Sequence, residues 1–501
     1  MRGMKILIRG GTVLTLDRDD RVLTGADVLV EDDRVARVGG HLTERDGPFD
    51  RVIDASERLV MPGLVNAHFH CYDRFLRGMW EGMPLEMWIL CASPIFNPVL
   101  GERALTVRAQ LCAAEMLLSG TTACVDNLHP SGLALELIDA QLAGYLTAGL
   151  RVGAAPMIWN RPFTETMPFL GGLLPPGDRA ALDGTPPTVA AIVDFQTRLT
   201  KGWDGRDGRI HVLLAPAGPQ RCTDELLRTF AAASEAERRP LHSHILETKV
   251  QAVAARELYG KTMIAHLAEL GALSPRLTAI HAVWLSRDDV AMLRDAGATV
   301  AHNPICNLKL LSGVAPVPRL LEAGVNVALG TDNPSANDSS NLFDSVKFSA
   351  LLQNLDGPAP KKPGAARASL RMATAGGARS LGLGDEIGAV EVGRRADLVL
   401  LDLDALGFLP LSDPVRQVVY CENGSSVRTV LVNGRVVVDD GRLTTLDLRA
   451  LRAEAREIAG KAVADNRAAR ERYETLRPAF EEMHRRAMAV DLGFSAFPPP
   501  R

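Results

Sequence analysis

Two histidines one residue apart, His68 and His70, close the apolar run Leu59–His70. On a strand, side chains two apart face the same side, so both imidazoles can reach one cation while Phe69 packs the other way. His244 falls near the end of the run Pro240–Leu246, and Asp332 ends the run Asn326–Asp332 in Gly330-Thr331-Asp332. Three imidazoles and a carboxylate suit a borderline divalent ion, with bonds of about 2.0–2.2 Å; Zn²⁺ is expected and Fe²⁺ is the alternative. Such a set leaves a position for water, whose pKa the metal can lower from 15.7 to roughly 7. The expected chemistry is hydrolysis, with one metal ion per chain held by His68, His70, His244 and Asp332. A lone His-x-His is a weak signal, because a strand histidine is more often structural. Recurrence of such residues at the ends of successive runs carries the reading. His242, two before His244, shares its facing and is the rival ligand. His41, His129, His211, His266 and His484 lack such a placement and are read as structural or solvated.

Something must bring these residues together. Eight short apolar runs alternate with amphipathic helical stretches: Leu59–His70, Thr121–Asn127, Arg151–Ile158, Ile210–Ala215, Pro240–Leu246, Thr278–Val283, Thr299–Pro304 and Asn326–Asp332. Strand–helix alternation over about 320 residues predicts an α/β fold, a (β/α)₈ TIM-type barrel, whose active site lies at the C-terminal ends of its strands. Both ends of the chain alternate like strands instead, with a hairpin signal at Asn433-Gly434. The predicted organisation is therefore a barrel over 59–384, a small β-sandwich built from 1–58 and 385–445, and a helical extension over 446–501.

Composition narrows the function. The chain has 501 residues and a formal net charge of −4, which gives no reason to expect nucleic acid or an anionic membrane as partner. Its seven cysteines are widely spaced with no CxxC, which fits a reduced, cytoplasmic protein. The first residues alternate like a strand rather than forming a signal peptide, and no apolar stretch is long enough to span a membrane. HExxH is absent, as is the H-x-E with P-C-x-x-C pattern of cytidine-deaminase zinc sites.

Six segments, PGLVNAHFH (62–70), HILE (244–247), IHAV (280–283), AHNPICNLKL (301–310), GVNVALGTDN (324–333) and GAVEVGRRADLVLLD (388–402), together resemble the amidohydrolase superfamily, in its deaminase and chlorohydrolase branch. The resemblance implies that His68, His70, His244 and Asp332 are the metal ligands. It implies that Glu247 shuttles a proton between the water and a ring nitrogen, and that His281 and Asp332 hold and help deprotonate that water. Both roles agree with general principles for a carboxylate and an imidazole beside an activated water. The implied reaction is deamination of an N-heteroaromatic substrate (purine, pyrimidine, nucleoside or triazine type) with release of ammonia. The absence of lysine from Ile210–Ala215 argues against the two-metal members of the superfamily.

Glu86 and Trp88, in Pro84-Leu-Glu-Met-Trp88, match residues that face sugar and base in nucleoside-deaminating members. Gln220 and His302 complete the expected substrate contacts, although Gln220 and Arg221 could also merely shape their loop. Two departures stand out. Ala217 replaces a histidine that usually follows Pro216, and the arginine that binds the amino-acid carboxylate in some adenosylhomocysteine deaminases would fall near Pro156. The alternatives are removal of chloride or an alkylamine from a triazine-like ring, hydrolysis of an amide, and a non-catalytic scaffold with the same barrel. The resemblance also implies a homodimer or homotetramer.

Overall fold

Runs of Val, Ile, Leu and Ala that are buried on both faces form parallel strands covered by helices, and this chain follows that rule. A computed structural model describes residues 3–93, 100–130, 132–356 and 364–497. The first four barrel strands, Leu64–Phe69, Thr121–Asp126, Arg151–Ala154 and Ile210–Val212, pair in parallel in chain order. The second four, Leu241–Ile245, Leu277–His281, Thr299–His302 and Asn326–Leu329, do the same. Parallel bridges Leu214–Leu241 and Phe69–Asp332 join the two halves and close the barrel. The second bridge joins the residue between His68 and His70 to Asp332, so closure itself brings these candidate ligands of strands one and eight together.

Both chain ends contribute to one sheet of nine strands, in which Arg58–Pro62 pairs antiparallel with Leu398–Asp402. Val427–Val432 and Arg435–Asp439 form the hairpin expected at Asn433-Gly434, with both turn residues at positive φ. Its apolar side chains, among them Ile8, Val28, Val60, Leu398 and Leu431, share a core separate from that of the barrel. The run Leu59–His70 is not one strand, as its sequence suggested. It breaks at Gly63, the first part staying in the terminal sheet and the second entering the barrel. The reason is steric: a Cβ on residue 63 would lie 2.1 Å from Thr122 Oγ1, so the backbone passes closer to strand two than a side chain allows.

Sheet and barrel are joined by a buried ion pair. Arg151, opening barrel strand three, donates from Nε and Nη2 to both oxygens of Asp397 at 2.8 and 2.9 Å. The two side chains are 0% and 1% exposed. Arg151→Ala is expected to destabilise the protein by about 3–5 kcal/mol, because an uncompensated carboxylate stays buried. Urea unfolding measures this, and a loss under about 1 kcal/mol would contradict the assigned burial.

The helical extension is two helices, Leu448–Asp465 and Arg467–Ala489. Phe480, Met483 and Ala487 of the second are buried in the main core. Its end is fastened across the helix Lys249–Tyr259: Lys249 Nζ donates to Met488 O at 2.7 Å, and Arg256 donates to Asp491 O and Leu492 O, each at 2.9 Å. No helix of the described residues is long and apolar enough to cross a membrane.

Candidate metal centre and active site

At the C-terminal mouth of the barrel, His68, His70, His244, His281 and Asp332 converge; His244 is partly exposed and the other four are buried. Two sets of donor atoms, His68/His70/Asp332 and His68/His244/His281, each lie within 4.8 Å of one another. Asp332 Oδ1 is 3.2 Å from His68 Nε2 and 3.6 Å from His70 Nε2, and its Oδ2 is 3.6 Å from His281 Nε2. Glu247, in the turn after strand five, brings Oε2 to 3.5 Å from His281 Nε2. His281 and Asp332 both sit at strand ends with positive φ, 72° and 64°. Non-glycine residues held there store about 1–3 kcal/mol each and cluster at functional sites. Gly330 lets the last strand approach: a Cβ there would lie 2.7 Å from His68 O.

Each imidazole is oriented from behind. His70 Nδ1 lies 2.8 Å from Asn127 O, and His244 Nδ1 lies 2.7 Å from Ala217 O. His68 Nδ1 meets Asn127 Oδ1 and His281 Nδ1 meets Asn307 Oδ1, each at 2.9 Å. A carbonyl oxygen only accepts, so the single N–H of a neutral imidazole must be at Nδ1, which leaves Nε2 as a bare lone pair. The Nε2 atoms of His70 and His244 nevertheless face each other at 3.2 Å, and buried His68 Nε2 has no hydrogen-bond partner. Lone pairs brought this close need a cation between them. The residues therefore fit a divalent metal, with the outer carbonyls fixing the tautomers as metal-ligating histidines require.

Electrostatics agree. Burial pushes His70 down to about 3, with neighbouring His68 adding to the effect. Burial likewise takes His281 down to about 4, and His244 well below its usual value. Burial opposes the charge of Asp332, but the surrounding imidazoles win and hold it well below the usual carboxylate range. Glu247 moves the other way: burial, reinforced by Asp332, raises it well above its usual value and favours its protonated form. Two nearby carboxyls thus differ in their readiness to hold a proton, which is the arrangement that separates acid from base roles.

The profile of the amidohydrolase family matches residues 59–437. The chain belongs to the amidohydrolase family. It is 33% identical over 459 residues to a 5'-deoxyadenosine deaminase of Methanosarcina barkeri, a match covering 91% of this chain and 98% of that protein. It is 35% identical over 464 residues to a 5-methylthioadenosine/S-adenosylhomocysteine deaminase of Nitratidesulfovibrio vulgaris, covering 91% and 97%. Among solved structures, an adenosine deaminase from Xanthomonas campestris with bound zinc superposes with a TM-score of 0.81 at 29% identity, covering 92% of this chain and 99% of that one. The zinc complex of atrazine chlorohydrolase from Arthrobacter aurescens TC1 gives 0.79 at 28% identity, covering 91% and 100%.

In this amidohydrolase, Glu86, Trp88 and Gln220 line the pocket over the candidate metal centre together with Tyr72, Glu247 and His281. Glu86 Oε1 accepts from Thr248 Oγ1, while its Oε2 is buried without a hydrogen-bond partner and lies 3.9 Å from His484 of the C-terminal helix. Trp88 Nε1 and Gln220 Oε1 are also buried with no hydrogen-bond partner. Three unmet polar atoms in one pocket wall are what a polar ligand would satisfy.

His302 does not line this pocket. Nδ2 of neighbouring Asn303 lies 3.2 Å from His281 Nδ1, so by strand alternation His302, which is buried, faces the other way. The rival ligand His242 shares the facing of His244 but lies one layer deeper, where its Nε2 donates to Ser380 O at 2.8 Å. Sequence reasoning missed Asn127, Asn307 and Asp73. Asp73, pushed up to about 6 by burial, pins the loop after Asp332 by accepting from Ser335 N at 2.9 Å. Asn127, immediately after strand two, was the one detectable signal, since polar residues at that end of a barrel strand are candidates for the site.

Proposed function

We propose that this amidohydrolase removes ammonia from the exocyclic amino group of an adenine-like ring, replacing C–NH₂ by C=O at the expense of one water. One observation carries the proposal: bare imidazole nitrogens and ionised Asp332 converge beside protonation-prone Glu247, in a chain whose curated relatives carry deaminase names over nine-tenths of its length. His68, His70, His244 and Asp332 would hold the metal, with zinc favoured by the nitrogen-rich donor set and by the zinc in solved relatives. A divalent ion there supplies Lewis acidity that makes water acidic near neutral pH.

The chain's own groups move the protons. Glu247 gives its proton to the ring nitrogen beside the attacked carbon, which makes that carbon more electrophilic. His281, held by Asn303 and Asn307, stabilises charge that develops at the same carbon. Asp332 accepts the proton of the attacking water and passes it to the departing amine, and the remaining hydroxyl proton returns to Glu247 as C=O forms. Glu86, Trp88 and Gln220 meet the polar edges of the substrate.

The test is ammonia release from 5'-deoxyadenosine, 5'-methylthioadenosine, S-adenosylhomocysteine and adenosine, with chloride and amine release from triazines assayed in parallel. The structural likeness to atrazine chlorohydrolase supports the second arm. Ammonia from at least one purine supports deamination, and chloride or alkylamine release alone refutes it. Dialysis against a chelator should lower turnover at least about 100-fold, and one equivalent of Zn²⁺ per chain should restore it. A chain that turns over metal-free, or purifies without metal and without any activity, would overturn the metal reading, the latter in favour of a scaffold.

A further inference from the structure

The pocket over the metal centre encloses only about 70 Å³, well under the roughly 300–1,000 Å³ of sites that hold whole drug-sized ligands. A cleft of about 640 Å³ lies beside it, and the two share Thr166 and Arg221 in their walls. A ring seated over the metal therefore has this cleft to receive its substituent.

Arg221 stands at the junction with its charge uncommitted. Among the described residues its guanidinium makes no side-chain hydrogen bond and no ion pair; it lies over the Phe163 ring, 5.5 Å from the ring centre. Desolvation lowers its pKa from the usual arginine value. Arg161 faces the same cleft, donating Nη2 to Cys222 O at 3.2 Å while its buried Nε finds no hydrogen-bond partner. Arg472, from the C-terminal helix, is a third cation on the wall. The cleft's two carboxylates, Asp178 and Asp183, come from the short helix Pro176–Asp183, and Asp183 is taken up by Thr164 N and Oγ1 at 2.7 and 3.0 Å. A cation drawn out of water without an acceptor is costly, and a guanidinium fork matches an oxyanion in two parallel hydrogen bonds.

We propose that the cleft binds an anionic substituent of the substrate, a carboxylate or a phosphate, through Arg221 with Arg161 beside it. Where the ring sits rests on the deaminase reading above; the anion site itself does not. Arg221 is then a specificity residue that separates charged from neutral members of one substrate class.

Calorimetry on the full-length, zinc-loaded chain tests this, with Glu247→Gln present to stop turnover. The probes are adenosine 5'-monophosphate, adenosine-5'-carboxylate and neutral 5'-deoxyadenosine. At least one anionic probe should bind about 10- to 100-fold more tightly than the neutral one, and which of the two does so distinguishes phosphate from carboxylate. Arg221→Met should erase that preference while leaving the neutral probe within about threefold. Arg221→Lys, which keeps the charge but not the fork, should retain part of it. Equal or tighter binding of the neutral probe, or a preference that survives Arg221→Met, overturns the proposal. If no ring compound binds, the adenine reading fails, and inorganic phosphate and acetate decide the anion site alone. A rise in melting temperature that needs Arg221 supports the site, and no such rise overturns it.

Discussion

Asp332→Asn is expected to lower kcat by about 10³-fold or more, while the melting temperature in the metal-free state barely moves. Two losses combine. On the roles proposed for Asp332, the site gives up its only negative ligand, so metal affinity falls, and it loses the group that relays the water's proton to the amine; general acid–base groups alone contribute about 10²–10⁴-fold. The fold is spared because asparagine has the same shape and keeps an oxygen where Asp332 Oδ1 accepts from Asn333 N at 2.8 Å. Steady-state kinetics with metal analysis at several zinc concentrations checks this. A variant that keeps kcat within about tenfold when metal-loaded would show that Asp332 is a ligand only.

Glu247→Gln separates binding from proton transfer. Glutamine preserves the size of the side chain and offers an N–H to the ring nitrogen, yet it cannot give the proton away. A fall in kcat of about 10²–10⁴-fold is expected, with KM within a few-fold and metal content unchanged. Metal should persist because Glu247 contacts His281 from the side and belongs to neither donor group. Loss of metal in this variant would instead make Glu247 a ligand.

Much of this site is legible in the sequence. Histidine and aspartate at the ends of apolar runs are unusual enough that their recurrence, in step with strand–helix alternation, implied a common mouth. What could not be read was depth. His242 and His244 have the same facing, and only the packing of Ser380 beneath the barrel shows that His242 lies a layer below. His302 misled for the opposite reason: it looks like a strand-end histidine, but Asn303 is the residue whose alternation points inwards. Ala217 departs from a usual histidine, yet the atom used there is its backbone oxygen, which any residue supplies. The break at Gly63 was invisible because apolar character runs unbroken through both strands, and only the nearness of Thr122 forces the division.

The proposed ligands all precede residue 333, whereas Arg472, on the wall of the adjoining cleft, and His484, beside Glu86, come well over a hundred residues later. At about 5–20 residues per second, translation places roughly 7 to 30 seconds between them. On the metal reading proposed above, a nascent chain therefore presents these imidazoles before its outer wall has been made. The proposed ion capture and substrate recognition would then be separated in time by the order of the chain, and a fusion or tag that disturbs the final helix should impair the second while sparing the first.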